Sequence, residues 1–294
     1  MKNKLIVILG PTASGKTCLS IKLAKKFNGE VVSADSRQVY KGMNIGSGKI
    51  TKKEMNGILH YLLDVANPKT KFTVAQYQKL ALRVIKKIHK RNKVPIIVGG
   101  TGFYIQSIVD GTVIPAVKPN WALREKLSKI ALPELVKRLA RLDPVRAGNI
   151  DQNNPRRVVR ALEIVIALRG PVPTASPKKP DFEVMKIGVL KSKDELKKLI
   201  QKRLSKRLKN NAMINEVKKL SKSLSWKRLE EFGLEYRFVA QYLQDKITYE
   251  EMLDKIQTES EQYARRQMTW FKRDKRIYWI KNYKQAEKLV INFL

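Results

Sequence analysis

Apolar residues fall into two rhythms over the first hundred residues of the chain. Short continuous apolar runs at Lys4–Leu9, Glu30–Ala34 and Val94–Val98 read as strands buried on both faces. Between them, Gly15–Phe27 and Thr73–Arg91 repeat apolar positions at helical spacing. In the second, Val74, Tyr77, Leu80, Ala81, Val84 and Ile88 make one stripe. Alternation of this kind predicts a parallel sheet with helices on both faces. Such sheets bind ligands outside the carboxyl ends of their strands. The segments that follow the three runs, Gly10–Thr17, Asp35–Gln38 and Thr101, are therefore expected to meet in one crevice.

After Pro115 the pattern turns mostly helical. Two proline-rich stretches, IPAVKPNW (114–121) and GPVPTASPKKP (170–180), bracket a helical segment. They predict an inserted helical domain at 118–180, hinged near those prolines, in a core formed by 1–117 and 181–294. Glu183–Leu190 reads as a strand returning to the core. Helices are expected at Lys193–Lys209 and Thr258–Asp274, and a last strand at Arg276–Lys281.

The segment after the first run is GPTASGKT, residues 10–17, with the spacing G-x-x-x-x-G-K-T. Glycines allow a tight turn whose N–H groups point at one phosphate group. Lys16 adds a cation, Thr17 can hold a magnesium ion, and the following helix offers its positive end. With a strand before and a helix after, the loop is expected to bind a di- or triphosphate through Gly10, Pro11, Thr12, Ala13, Ser14, Gly15, Lys16 and Thr17. The fold class expected is α/β, a P-loop NTPase-like parallel sheet flanked by helices, with the helical insertion. The loop alone does not say which phosphate compound is bound, because it serves many chemistries.

Charge narrows the partner. The chain of 294 residues carries 61 Lys and Arg against 26 Asp and Glu, a formal net charge of +35. A soluble chain with this excess is expected to meet a polyanion, nucleic acid by default. No apolar run approaches the roughly 20 residues that span a membrane, and no secretory signal is evident, so a cytoplasmic protein is expected. The single cysteine, Cys18, excludes an internal disulfide and reads as a small buried residue.

Ordinary P-loop ATPases place a second carboxylate at the end of a neighbouring strand. Here the run Pro95–Val98 ends in Gly99, Gly100 and Thr101. The acidic candidate at a strand end is Asp35, followed by Ser36, Arg37 and Gln38. One Asp beside a bound diphosphate suits a general base acting on a second substrate, and Arg37 and Gln38 suit hydrogen bonding to a base edge. A small-molecule kinase using ATP at the same loop also explains GPTASGKT and Asp35, but leaves the charge unexplained. A non-catalytic RNA-binding protein explains the charge, but leaves Asp35 and Thr101 without a purpose.

GPTASGKT, SADSRQVY, HYLLD (60–64) and VGGTGFY (98–104) resemble, in order, the motifs of the tRNA dimethylallyltransferases. LDPVRAGNI (142–150), NPRRVVRALEI (154–164) and EQYARRQMTWFKRD (261–274) extend the resemblance over nearly the whole chain. It implies transfer of a dimethylallyl group from dimethylallyl diphosphate to N6 of the adenosine on the 3′ side of the anticodon (position 37), in tRNAs reading codons that begin with U. The loop would then hold a leaving diphosphate with magnesium, which accounts for the missing carboxylate. The resemblance makes Asp35 the base and places Lys16, Thr17 and Thr101 in the reacting site. It puts Asp35–Gln38, Thr101, Arg124, Arg156, Arg157 and Arg160 against the anticodon stem-loop and Arg237 on the diphosphate. Arg265, Arg266, Lys272 and Arg273 would line the anion-facing side of a C-terminal helix. A monomer is the simplest expectation.

Two stretches depart from the family pattern. FGLEYRFVAQYL (232–243) stands where G-Y-R-Q is usual, so Glu235 replaces a small residue and Phe238 a glutamine. IGSGK (45–49) stands where I-G-T-A-K is usual, and little change is expected from it. His60 reads as a packed or surface imidazole and His89 as solvated. Trp226, Trp270 and Trp279 read as core anchors.

Overall fold

In the computed structural model, which describes residues 3–172 and 180–294, the first half of the chain alternates strand and helix. The order is β1 (Asn3–Leu9), α1 (Lys16–Lys26), β2 (Gly29–Ala34), α2 (Lys52–Met55), β3 (His60–Tyr61), α3 (Val74–His89), β4 (Val94–Gly99) and α4 (Gly102–Val109). Four helices follow: α5 (Trp121–Ser128), α6 (Leu132–Leu142), α7 (Pro144–Asn149) and α8 (Pro155–Leu168). The chain then runs through β5 (Phe182–Val189), α9 (Lys193–Leu208), α10 (Ala212–Ser221), α11 (Trp226–Glu231), α12 (Leu234–Tyr242), α13 (Tyr249–Phe271), β6 (Ile277–Ile280) and α14 (Tyr283–Phe293).

The strands form one sheet in the order β3-β2-β4-β1-β5-β6, every pairing parallel. The expected α/β class and parallel sheet are therefore present, and β2, β4 and β1 are neighbours. That adjacency brings their carboxyl ends together, as deduced from the pattern. Alternation along β1 builds both faces: Leu5, Val7 and Leu9 join one apolar layer, Ile6 and Ile8 the other. Trp226, Trp270 and Trp279 pack against the larger layer.

Polar residues within the sheet are paired. Glu30 on β2 is buried and accepts from Arg91 (2.5 Å), Lys93 (3.0 Å) and Tyr61 (2.9 Å). Lys186 on β5 is buried against Asp274 (2.6 Å). Burial pushes the Asp274 carboxyl up, yet hydrogen bonds from Arg276 and Lys186 outweigh it and hold the group below the usual carboxylate range.

Helix boundaries follow capping chemistry. Thr73 and Gln76 close a capping box ahead of α3, and Thr248 and Glu251 do the same for α13. The second box starts α13 well before the expected Thr258, because T-x-x-E at Thr248 is followed by Met252 and Ile256 in the core. His89 is not simply solvated: its Nε2 lies 2.9 Å from the carbonyl of Lys4.

The chain divides into two compact units, Met1–Gly111 with Lys179–Leu294, and Thr112–Lys178. The second is a helical unit with its own apolar core, in which Leu135, Leu139, Val158 and Leu162 meet. The hinge expected in 170–180 falls largely on residues 173–179, outside the described residues. Ile97, at the centre of β4 and fully buried, tests the sheet directly. Ile97→Ala is expected to cost about 2–5 kcal/mol, read as a lower urea midpoint at unchanged denaturant slope.

Candidate active site

The turn after β1 is shaped by its backbone. Gly10 takes φ 145°, Ala13 φ 60° and Gly15 φ 89°, and α1 starts at Lys16 with no side-chain cap. Gly15 meets this left-handed conformation at little steric cost, whereas Ala13 holds it under strain. The first N–H groups of α1 consequently have no acceptor among the described residues, and they carry the positive end of the helix. Ser14 adds a buried hydroxyl with no partner.

Long-range contacts hold the turn in place. Gln267 on α13 is buried; its Oε1 accepts from the N–H of Thr12 (2.8 Å) and its Nε2 donates to Gly100 O (2.9 Å). Arg203 on α9 donates from Nη1 to Thr12 Oγ1 (3.0 Å). Lys16 donates from Nζ to Pro11 O (2.5 Å). Burial, then the neighbouring Arg203, lower the pKa of Lys16 to about 7, while Asp35 pulls it up. Burial, then Arg207, lower that of Arg203 to about 10. The two cations crowd each other at the turn.

The turn opens into a cavity of about 650 Å³ that also contains Asp35, Gln38, Arg203, Tyr263 and Gln267. Asp35 follows β2, and its Oδ1 accepts from the N–H groups of Arg37 (2.8 Å) and Gln38 (3.3 Å). This fixes the carboxylate and leaves Oδ2 without a donor among the described residues. Thr101, at the start of α4, accepts at Oγ1 from the N–H of Ser36 (3.0 Å). Tyr263 on α13 hydrogen-bonds to Thr101, and burial, then the charge of Asp35, push its pKa up to about 12. Gln38 donates to Gly48 O (3.2 Å). The cavity thus joins an anion-binding turn to a fixed carboxylate with one free oxygen, a layout suited to displacing a phosphate leaving group while removing a proton.

A model of the IPP transferase family matches residues 38–274. This chain belongs to that family. It is 39% identical to the tRNA dimethylallyltransferase of Caldanaerobacter subterraneus subsp. tengcongensis, over 98% of this chain and 96% of that one. Among solved structures it resembles the full-length tRNA isopentenylpyrophosphate transferase from Bacillus halodurans (TM-score 0.74, 36% identity, 99% of this chain and 95% of that one). It also resembles a eukaryotic dimethylallyltransferase acting on tRNA (TM-score 0.78, 26% identity, 95% of this chain and 74% of that one).

Set on an IPP transferase fold, most of the expected site residues gather and some stand elsewhere. Residues 12–17, Asp35 and Gln38 line the cavity. Arg37 shares the loop but spends its guanidinium on the backbone, donating from Nε to Phe232 O (2.6 Å). Arg237 lies outside the lining; its Nε donates to Glu230 O (3.4 Å), and Arg203 is the guanidinium at the turn. Cys18 is exposed, a correction: it follows Thr17 on the outward side of α1, whereas Leu19 and Ser20 are the buried neighbours.

In the helical unit, Arg124 donates to the buried Glu163 from Nε (3.0 Å) and Nη2 (2.7 Å) and stacks on Trp121. Arg160 also grips Glu163 and donates to Val117 O (2.9 Å). Arg156 and Arg157 are exposed. On α13, Arg265 and Arg266 are exposed and Phe271 is buried as expected, with Met268 half-buried. Arg203, Tyr263 and Gln267 escaped the sequence reading, although the last two are one helical turn apart within EQYARRQ.

Lys16 gives the site a pH signature. An anion favours the ammonium, so binding above about pH 7 draws a proton onto Lys16. The Lys16 contribution to diphosphate affinity is expected to weaken as pH rises above about 7, read as the difference between the parent and Lys16→Met. Calorimetry near pH 8, in two buffers of different ionisation enthalpy, is expected to show proton uptake that Lys16→Met reduces.

Proposed function

We propose that the protein is a tRNA dimethylallyltransferase. It moves a dimethylallyl group from dimethylallyl diphosphate to N6 of the adenosine on the 3′ side of the anticodon (position 37), in tRNAs reading codons that begin with U. The observation that carries this reading is the shared cavity: the anion-binding turn and the half-free carboxylate of Asp35 open into the same space, in a chain whose relatives carry that activity in their names. A kinase reading finds no carboxylate at the end of β4, where Gly99 and Gly100 stand, and no support from those relatives.

In the reaction, the N6 lone pair attacks C1 of the allylic tail as the C1–O bond breaks, and the electron pair leaves with diphosphate. The N–H groups at the start of α1, Lys16 and Arg203 meet the charge that builds on the leaving group. Asp35 accepts the N6 proton at Oδ2, while its Oδ1 stays fixed by the loop. Tyr263 forms the adjoining wall, Thr101 behind it holds the N–H of Ser36, and Gln38 approaches the base. The adenine must leave its stack to reach this site, at a cost of a few kcal/mol.

Magnesium fits as the accompanying ion. Among the described residues no group of three or more His, Cys, Asp or Glu could hold a metal, and Thr17 Oγ1, at the start of α1, would be the protein's contribution. That donor set matches an ion held mainly by phosphate oxygens and water, which would offset diphosphate charge. Exposed Arg156 and Arg157, with Arg124 and Arg160 beyond their hold on Glu163, are the proposed RNA contacts of the helical unit. Among the described residues no helix is long and apolar enough to cross a membrane.

The test is to incubate the protein with dimethylallyl diphosphate, magnesium and an anticodon stem-loop bearing consecutive adenines, then digest the RNA for mass spectrometry. One added C5 unit on the adenine 3′ to the anticodon is expected. Asp35→Asn keeps the loop hydrogen bonds but removes the base, and is expected to lower kcat by about 10²–10⁴-fold. ATP consumption without an RNA adduct contradicts the reading.

A further inference from the structure

Two stretches far apart in sequence, 45–49 and 232–243, meet in space at Arg207. Glu235, in the first turn of α12, is ion-paired with Nη1 of Arg207 on α9, and the same Nη1 donates to Gly46 O (3.0 Å). Nη2 of Arg207 is buried with no partner. It passes over Gly48, so close that a methyl group built there would lie 1.9 Å from Nη2 of Arg207 and 2.3 Å from Nη2 of Arg203. Gly48 also has φ +60°. An alanine Cβ at this position would overlap both guanidinium groups where they now lie.

The loop cannot retreat to make room. The Glu216 carboxylate accepts from the N–H groups of Asn44 (2.9 Å), Ile45 (2.7 Å) and Gly46 (3.0 Å). Tyr236 accepts at its hydroxyl from the N–H of Ser47 (3.1 Å). Arg207, boxed in by Glu235 and Gly46 O, is equally fixed. Beside it, Arg203 reaches Thr12 on the phosphate turn.

We propose that Gly48, Arg207 and Glu235 are one coupled set, in which Glu235 holds Arg207 over Gly48 and Arg207 in turn positions Arg203 on the diphosphate. Glu235 supplies the counter-charge for Arg207, and a side chain at position 48 would compete with Arg207 for its space. Arg207 is a positioning residue: it lies behind the cavity wall, and Arg203 is the group in the cavity. The inference rests on the prenyl-transfer reading for its kinetic consequence and on the diphosphate site alone for its binding consequence.

The experiment is a mutant cycle read in donor KM, RNA KM, kcat and the affinity for inorganic diphosphate, with melting temperature as a folding check. Gly48→Ala is expected to raise donor KM about tenfold and leave RNA KM unchanged. Arg207→Met is expected to do the same, since Glu235, left alone, draws Arg203 away from Thr12; Arg207→Lys, lacking the fork, does not rescue it. Arg207→Met with Glu235→Gly is expected to return donor KM to within about threefold of the parent, and Gly48→Ala then adds only the smaller penalty of its left-handed backbone.

Equal effects of Gly48→Ala in both backgrounds, or folded single variants with unchanged donor KM, overturn the coupling. Should Gly48→Ala fail to fold, the Arg207 and Glu235 arms decide it alone. If the parent transfers no prenyl group, the functional reading fails instead, and diphosphate affinity across the same variants still reads the coupling.

Discussion

Positive charge crowded at the start of α1 is the constraint on which the site depends. Lys16, Arg203 and Arg207 follow one another from the turn into the wall, with Glu235 paired to the last and Asp35 across the cavity. Burial and mutual repulsion already lower the pKa of Lys16 to about 7 and of Arg203 to about 10. Such an arrangement is tolerable because helices α9 and α13 are fastened to it by Thr12 and Gln267. On the proposed reading, an incoming diphosphate would relieve the repulsion and satisfy the N–H groups at the start of α1 together. Binding the leaving group and stabilising its developing charge are then the same interaction.

The half of the fold built from local pattern was legible in the sequence. Strands buried on both faces, the turn with its fixed glycine spacing, and Asp35 at a strand end all follow from short stretches of chain. The adjacency of β1, β2 and β4 followed from the sheet class, and it brings the turn and Asp35 into one cavity, with Thr101 outside the lining and bonded to the N–H of Ser36. Side chains delivered from distant helices were not legible. Arg203 comes to Thr12 across 191 positions and Gln267 across 255, and helical periodicity marks both only as residues on one face of a helix.

Arginines were the hardest residues to read. In a chain with a net charge of +35, an arginine's surroundings decide its role. Arg124 and Arg160 are committed to Glu163, a buried carboxylate whose pKa burial would raise but whose arginine hydrogen bonds hold it below the ordinary value. Arg37 is tied to Phe232 O, and Arg237 to the backbone of Glu230. The glycine at 48 shows the same limit from the other side: the sequence around it does not place the guanidinium groups of Arg203 and Arg207 over it.

Because one displacement is held to move the C5 group and release the leaving group together, the stoichiometry of the products is the most direct test of the account. Diphosphate, orthophosphate and modified adenosine should be quantified in the same reaction, with and without ATP. The account predicts one diphosphate released for each C5 group gained by RNA, no orthophosphate above background, and no dependence on ATP. Orthophosphate formed in proportion to ATP consumed, with diphosphate release uncoupled from RNA modification, would contradict it.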